Sequence, residues 1–192
     1  MRLLVVRHGE TGWNAERRLQ GHSDIDLNET GILQANQVAQ GLKNTEINIA
    51  VSSDLKRAKD TATIICQEQE NESLNLFTDE RLREFHFGIH EGQPINPEII
   101  ARIKSPDDHL DTSMETFNQV KQRVTHFLSW LHSHAHTQAT ALVATHGGVL
   151  RVLLNISNIQ WEKSITNCAV LEFTICNAGI LTFCSELNFL DR

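Results

Sequence analysis

No stretch of this chain is apolar for long enough to span a bilayer, and the run Leu3–Val6 is too brief for a signal peptide. The chain therefore reads as cytoplasmic, with no membrane partner. No run of Lys or Arg exceeds Arg17-Arg18, and the net charge is −7. That balance, with a pI near 5.8, argues against a nucleic-acid partner. There is no C-x-x-C spacing: Cys66, Cys168, Cys176 and Cys184 lie within apolar segments and read as small core residues in a reducing compartment. No repeat or low-complexity tract is present. Ser52-Ser53 lacks a G-x-S-x-G elbow. His90-Glu91 is not followed by the second histidine of H-E-x-x-H, because position 94 is Pro94. The run "HSHAH" (132–136) reads as a solvated helix end. Neither a metal nor a cofactor is expected.

What is present is globular. Hydrophobic residues make up 40% and charged residues 21% of 192 residues, enough for one domain with a substantial core. Residues 2–7 read as a buried strand. Asn28 is placed to cap a helix through Leu42, with Ile32, Ala35, Ala39 and Leu42 on its apolar face. "INIAVSS" (47–53) reads as a strand, followed by a helix from about Asp54 with Leu55, Ala58, Ala62, Ile65 and Cys66 inward. "LNLF" (74–77) is a short strand, and 78–113 is the least regular stretch. A long helix over 114–132 carries the stripe Phe117, Val120, Val124, Phe127 and Leu131. "TALVATHGGVLRVLL" gives strand, Gly-Gly turn and helix, and 168–187 gives two strands about the "NAG" turn. Alternating strands and helices imply an α/β domain over 1–192, three-layered (α/β/α) about a mostly parallel sheet.

In such sheets ligands bind beyond the carboxyl ends of the strands. His8 follows the first strand, His146 follows "ALVAT", and Arg57 lies in the first turn after "IAVSS". A lone histidine after a strand is usually a turn residue. If the strands are parallel neighbours, however, two imidazoles meet Arg7 and Arg57 at one edge of an acidic protein. Such a concentration of positive charge suits a phosphate. Glycines beside both histidines let backbone N–H groups approach, and the helix after His146 offers its positive end. Glu84, in "LREFHFG", is the carboxylate to add, although spacing alone does not place it there.

The segments "RHGETGWN", "QGHSDIDLNETGILQA", "SSDLKRAKDTA", "LREFHFGIHEG" and "THGGVLR" resemble, in order, the motifs of the histidine phosphatase superfamily, in its phosphoglycerate-mutase-like branch. Within it they are nearest in kind to α-ribazole phosphatases and broad-specificity phosphatases. The resemblance implies the phosphoglycerate-mutase-like fold and a metal-independent phosphomonoester hydrolase acting on a small phosphorylated metabolite. It implies that His8 becomes phosphohistidine, and that Arg7, Arg57 and His146 hold the phosphoryl oxygens. Glu84 is implied as proton donor to the leaving oxygen, while Asn14, Gln20, Gly21 and Gly147 line the phosphate and substrate pocket. A phosphoglycerate mutase and a non-catalytic phosphate-binding module are the alternatives.

Three positions depart from the family pattern. Asp54 stands where proline is common and places a carboxylate near Arg57. His90 stands where tryptophan usually precedes Glu91-Gly92. "SMETF" (113–117) replaces the usual "GES", leaving Glu115 as its match. The interval between Glu84 and His146 is also shorter than in phosphoglycerate mutases. Between Gly92 and Ser113 it offers only Arg102 and Lys104 as cations, beside Asp107, Asp108 and Asp111.

Overall fold

The computed structural model describes residues 1–69, 71, 73–104 and 113–190, with the backbone alone at 100 and 102–104. In chain order the elements are β1 (Arg2–Arg7), α1 (Gly12–Ala15), α2 (Glu29–Leu42), β2 (Ile49–Ser52), α3 (Lys56–Gln67) and β3 (Leu76–Thr78). There follow α4 (Pro97–Lys104), α5 (Phe117–His134), β4 (Thr140–Thr145), α6 (Gly147–Ile156), β5 (Val170–Ile175) and β6 (Leu181–Leu187). The sheet order is β3-β2-β4-β1-β5-β6. The first four strands in that order pair in parallel, whereas β5 runs antiparallel to both β1 and β6.

Strand alternation divides the core into two layers. Leu3 and Val5 of β1, with Ala141 and Val143 of β4, face α5 and α6. Leu4 and Val6, with Leu142 and Ala144, face α2 and α3. Successive side chains of a strand point to opposite faces, so strands covered on both sides read as continuous apolar runs. Each fully buried Val or Leu in these layers contributes about 1.5–3 kcal/mol. Among the described residues, no helix is long and apolar enough to cross a membrane.

Two details differ from the expected core. Ile32 is exposed, and the inward face of α2 is instead Gly31, Ala35, Val38, Ala39 and Leu42. The helix is turned so that Gly31 abuts the loop after β1, where a Cβ would lie 2.1 Å from the Glu10 carbonyl oxygen. Of the four cysteines only Cys168 is buried; Cys66 is half-buried, and Cys176 and Cys184 are exposed. Cys176 belongs to the hairpin turn, where its N–H donates to the Ile180 carbonyl. Cys184 alternates outward on β6 while Phe183 packs against the core.

At position 31 propensity and packing conflict. Alanine is the better helix former by about 1 kcal/mol, but its methyl group has no room. Gly31→Ala should destabilise the protein by about 1–3 kcal/mol, the usual range for overpacking, read as a lower urea midpoint at constant slope. A rise in the midpoint would mean that α2 does not press on this loop.

Candidate active site

The pairing of β1 with β4 sets Arg7 opposite Thr145. The next residues on each strand are therefore neighbours: the His8 N–H donates to the Thr145 carbonyl at 2.9 Å. The two imidazole centroids lie 5.1 Å apart with planes tilted by 57°. Nδ1 of His8 lies 2.7 Å from the Gly9 carbonyl oxygen. A carbonyl only accepts, so Nδ1 carries the proton and Nε2 presents its lone pair. Both ring nitrogens of His146 are buried with no hydrogen-bond partner in the protein.

Burial is the main reason that both imidazoles hold their pKa values well below the ordinary histidine value. For His8 the positive charges of Arg57 and then Arg7 lower it further. For His146 the next contributions come from Arg57 and His8. Both rings are therefore neutral at physiological pH, and His8 is in the form a nucleophile needs.

Arg57 is fully buried at the start of α3. Its Nη1 and Nη2 donate to the Ser23 and Gly21 carbonyls, each at 2.8 Å. Burial brings its pKa down to about 10, against a restoring pull from Glu84. Arg7 is likewise lowered by burial and supported by Glu84, and its Nη1 donates to the Ile165 carbonyl. Nε of each guanidinium is buried without a partner among the described residues. Two guanidiniums on one cavity wall, one buried and one half-buried, concentrate positive charge where an anion could bind.

Glu84 reaches the same edge by a longer route. After β3 the chain makes a short 3₁₀ turn, Glu80–Leu82, and the Thr145 hydroxyl anchors it by donating to the Leu82 carbonyl at 2.7 Å. Oε2 of Glu84 then accepts from the Gly148 N–H at 3.1 Å, at the positive end of α6. A Cβ on residue 148 would lie 2.1 Å from Glu84 Oε1, so only glycine permits this contact.

Arg123, on α5, fixes the loop that carries Glu84. It donates to the Arg81 and Arg83 carbonyls at 2.7 Å and to the Glu84 carbonyl at 2.9 Å. Its two remaining bonds, both 2.9 Å, grip the Glu115 carboxylate, which accepts the His86 N–H. Nε2 of His22 also lies 2.9 Å from the Glu84 carbonyl oxygen. On the opposite side Glu91 accepts from the His22, Ser23 and Phe87 N–H groups and from the Ser23 hydroxyl. Burial pushes the Glu91 carboxyl up, but these bonds outweigh it and hold the pKa below the ordinary value.

The site opens into a cavity of about 190 Å³ lined by Arg7, His8, Arg57 and Glu84. Asn14, Gln20 and Gly21 line it as well. Gln20 Oε1 is buried without a partner in the protein, whereas Asn14 Oδ1 accepts from Asn167 at 3.1 Å. Gly147 is placed differently from its expected position. It packs beside Arg7, with a virtual Cβ 3.5 Å from Nε, and of the two glycines after His146 it is Gly148 that lies on the cavity wall. Asp54 does not oppose Arg57: it pairs with Arg83 through two hydrogen bonds, and these hold its carboxyl below the ordinary range. His90 belongs to the turn Gly88–His90, and the nearby cavity wall is Phe87 and Ile95.

Sequence reasoning did not single out Arg123, Thr61 or Asn167. Arg123 left one signal: a guanidinium beside the apolar stripe of α5, one residue before buried Val124. Thr61 accepts the Gly9 N–H at 3.0 Å and donates to the Arg57 carbonyl. Asn167 donates to the His8 carbonyl at 3.1 Å. Both arrive from parts of the chain whose proximity is visible only in three dimensions.

Fold and site together define an α/β protein whose parallel strands end in a buried, cationic, imidazole-bearing pocket. Residues 3–181 match the histidine phosphatase superfamily (branch 1), and the chain belongs to that family. It is 40% identical over 184 residues to phosphoglycerate mutase-like protein 4 of Arabidopsis thaliana, covering 90% of this chain and 79% of that one. It is 36% identical over 207 residues to the metal-independent phosphoserine phosphatase of the same plant, covering 99% and 86% respectively. A solved phosphoglycerate mutase from Bacillus anthracis str. Sterne superposes with a TM-score of 0.82 at 26% identity, covering 96% of this chain and 92% of that one.

The depressed basicity of the histidines gives a direct check. In carbon-detected NMR, His8 and His146 should remain neutral at the ordinary midpoint of about pH 6.5 and protonate only in more acidic solution. Replacing Arg57 with Met removes a nearby positive charge and should move the His8 titration upward. Half-protonation of His8 near 6.5 in the unaltered protein would contradict the geometry described.

Proposed function

We propose that this protein is a metal-independent phosphomonoester hydrolase that works through a phosphohistidine at His8 on a small phosphorylated metabolite. The observation that carries the proposal is the 2.7 Å contact of His8 Nδ1 with the Gly9 carbonyl, which leaves Nε2 as the free nitrogen of a ring that shares one cavity with Arg7 and Arg57.

Nε2 attacks phosphorus while Arg7, Arg57 and His146 bind the phosphoryl oxygens. The bond to the ester oxygen breaks, and that oxygen takes a proton from the Glu84 carboxyl. In the second half a water molecule gives a proton to the Glu84 carboxylate and attacks phosphorus. The P–N bond breaks, inorganic phosphate forms and neutral His8 returns. Dividing the reaction in two and placing cations in advance lowers a barrier that is among the highest in biochemistry. Charge stabilisation is assigned to the arginines, in keeping with the similarity to a metal-independent phosphoserine phosphatase.

The family contains proteins named for phosphatase and for mutase chemistry. One point supports hydrolysis in this chain. The interval between Glu84 and His146 is short, and among the described residues α4 is the one α-helix it adds before α5. Its expected acids Asp107, Asp108 and Asp111 lie outside the described residues. With little added cover, water reaches the phosphohistidine.

The test is a rapid-quench pulse with a radiolabelled phosphomonoester. It should trap acid-labile, base-stable label on His8, and a chase should release that label as inorganic phosphate. His8→Ala should abolish both label and turnover. Turnover surviving in that variant, or label passing to a second acceptor oxygen in place of water, would overturn the proposal.

A further inference from the structure

The catalytic cavity, at about 190 Å³, is smaller than the usual small-molecule pocket of about 300–1,000 Å³. It has room for a phosphoryl group and only a small part of the ester attached to it. A second cavity of about 960 Å³ adjoins it, and the two share Phe85, Gly148 and Arg151 as a common wall. The second cavity runs between α5 and the chain after α6, with Phe117, Leu154, Ile159 and Trp161 among its walls.

One feature places the shared wall on the leaving-group side, and three more describe what it could hold. The Gly148 N–H holds Oε2 of Glu84, so the carboxyl assigned to protonate the leaving oxygen stands at the threshold between the cavities. A row of rings crosses that threshold: Phe87 and Phe85 are stacked at 6.3 Å, and Phe85 and Phe117 are tilted at 6.4 Å. The far wall is braced, because Trp161 packs edge-to-face on Phe183 at 5.6 Å. Arg151 stands at the threshold with no carboxylate partner among the described residues. Its guanidinium makes only long contacts, 3.5 and 3.3 Å, with the Trp161 and Lys163 carbonyls.

We infer that this second cavity receives the leaving group of the substrate. That group is a flat aromatic or heteroaromatic ring on a short alkyl tether, carrying a hydrogen-bond acceptor for Arg151. The inference rests on the hydrolase reading above and extends it to a substrate class. Aromatic walls reward a planar apolar body, and a guanidinium on the rim fixes its orientation.

The test compares naphthylethyl phosphate with ethyl phosphate, whose leaving alkoxides are alike in basicity, so that a difference reports the ring. In the unaltered protein kcat/KM should favour the naphthyl ester by at least about tenfold. Ile159→Asp and, separately, Trp161→Ala should each reduce that ratio to about threefold or less, with the ethyl ester as internal reference for folding. Equal kcat/KM values in the unaltered protein, or a ratio untouched by both substitutions, would overturn the inference. If neither ester turns over, the hydrolase reading fails, and calorimetry with the matching phosphonates decides the cavity separately. Binding of the naphthyl phosphonate about tenfold tighter than ethylphosphonate supports the cavity assignment; equal affinities reject it.

Discussion

Everything at the site depends on the parallel pairing of β1 with β4. The register that sets Arg7 opposite Thr145 carries His8 and His146 off the same edge of the sheet. The backbone ladder brings the two imidazoles within ring contact of each other. A strand slip of one residue would exchange the faces of Leu3 to Val6 and bury the wrong set against each helical layer. The two core layers thus enforce the register, and the register places the imidazoles.

On that frame the protein assembles a charge pattern that is costly without an anion. One guanidinium, Arg57, is taken out of water and a second, Arg7, is half-buried, and their neighbours are neutral imidazoles. Their compensation is carbonyl oxygens from Gly21, Ser23 and Ile165 together with the field of Glu84. A buried charge is tolerable only when paired and hydrogen-bonded, and here the pairing is partial. Arg7, Arg57 and Gly148 at the amino-terminal end of α6 line one cavity, where a phosphate would bring the missing negative charge. In the proposed hydrolysis, binding and catalysis draw on the same preorganised field, because the charge that grows in phosphoryl transfer lies on the oxygens it surrounds.

The reach of the sequence follows the range of each signal. β1 and β4 were legible because a strand buried on both faces leaves a continuous apolar run, and their carboxyl ends pointed to His8, Arg7, Arg57 and His146 as a cluster. Asn28 was legible as a cap because capping is local, and its Oδ1 accepts the Gly31 N–H at 2.8 Å. The rotation of α2 was not, since it is set by backbone contact between Gly31 and Glu10, a steric fact without periodicity. Glu84 came from resemblance alone, because its position depends on Arg123, which is thirty-nine residues away. The choice between Gly147 and Gly148 was equally hidden: both precede the same helix, and only the approach of the Glu84 carboxylate distinguishes them. Asp54 looked like a rival to Arg57 because nothing local reveals its bond to Arg83.

The central claim is a line of attack: Nε2 of His8 on one side of phosphorus, the Glu84 carboxyl on the other, and Arg7, Arg57 and His146 around the equator. A crystal structure with vanadate tests it most directly, because vanadate adopts the five-coordinate geometry of the transferring phosphoryl group. A trigonal-bipyramidal vanadium is expected, with Nε2 of His8 as one apical ligand and the opposite apical oxygen hydrogen-bonded to Glu84. Vanadate bound elsewhere, or bound in this pocket with another atom in the apical position, would contradict it.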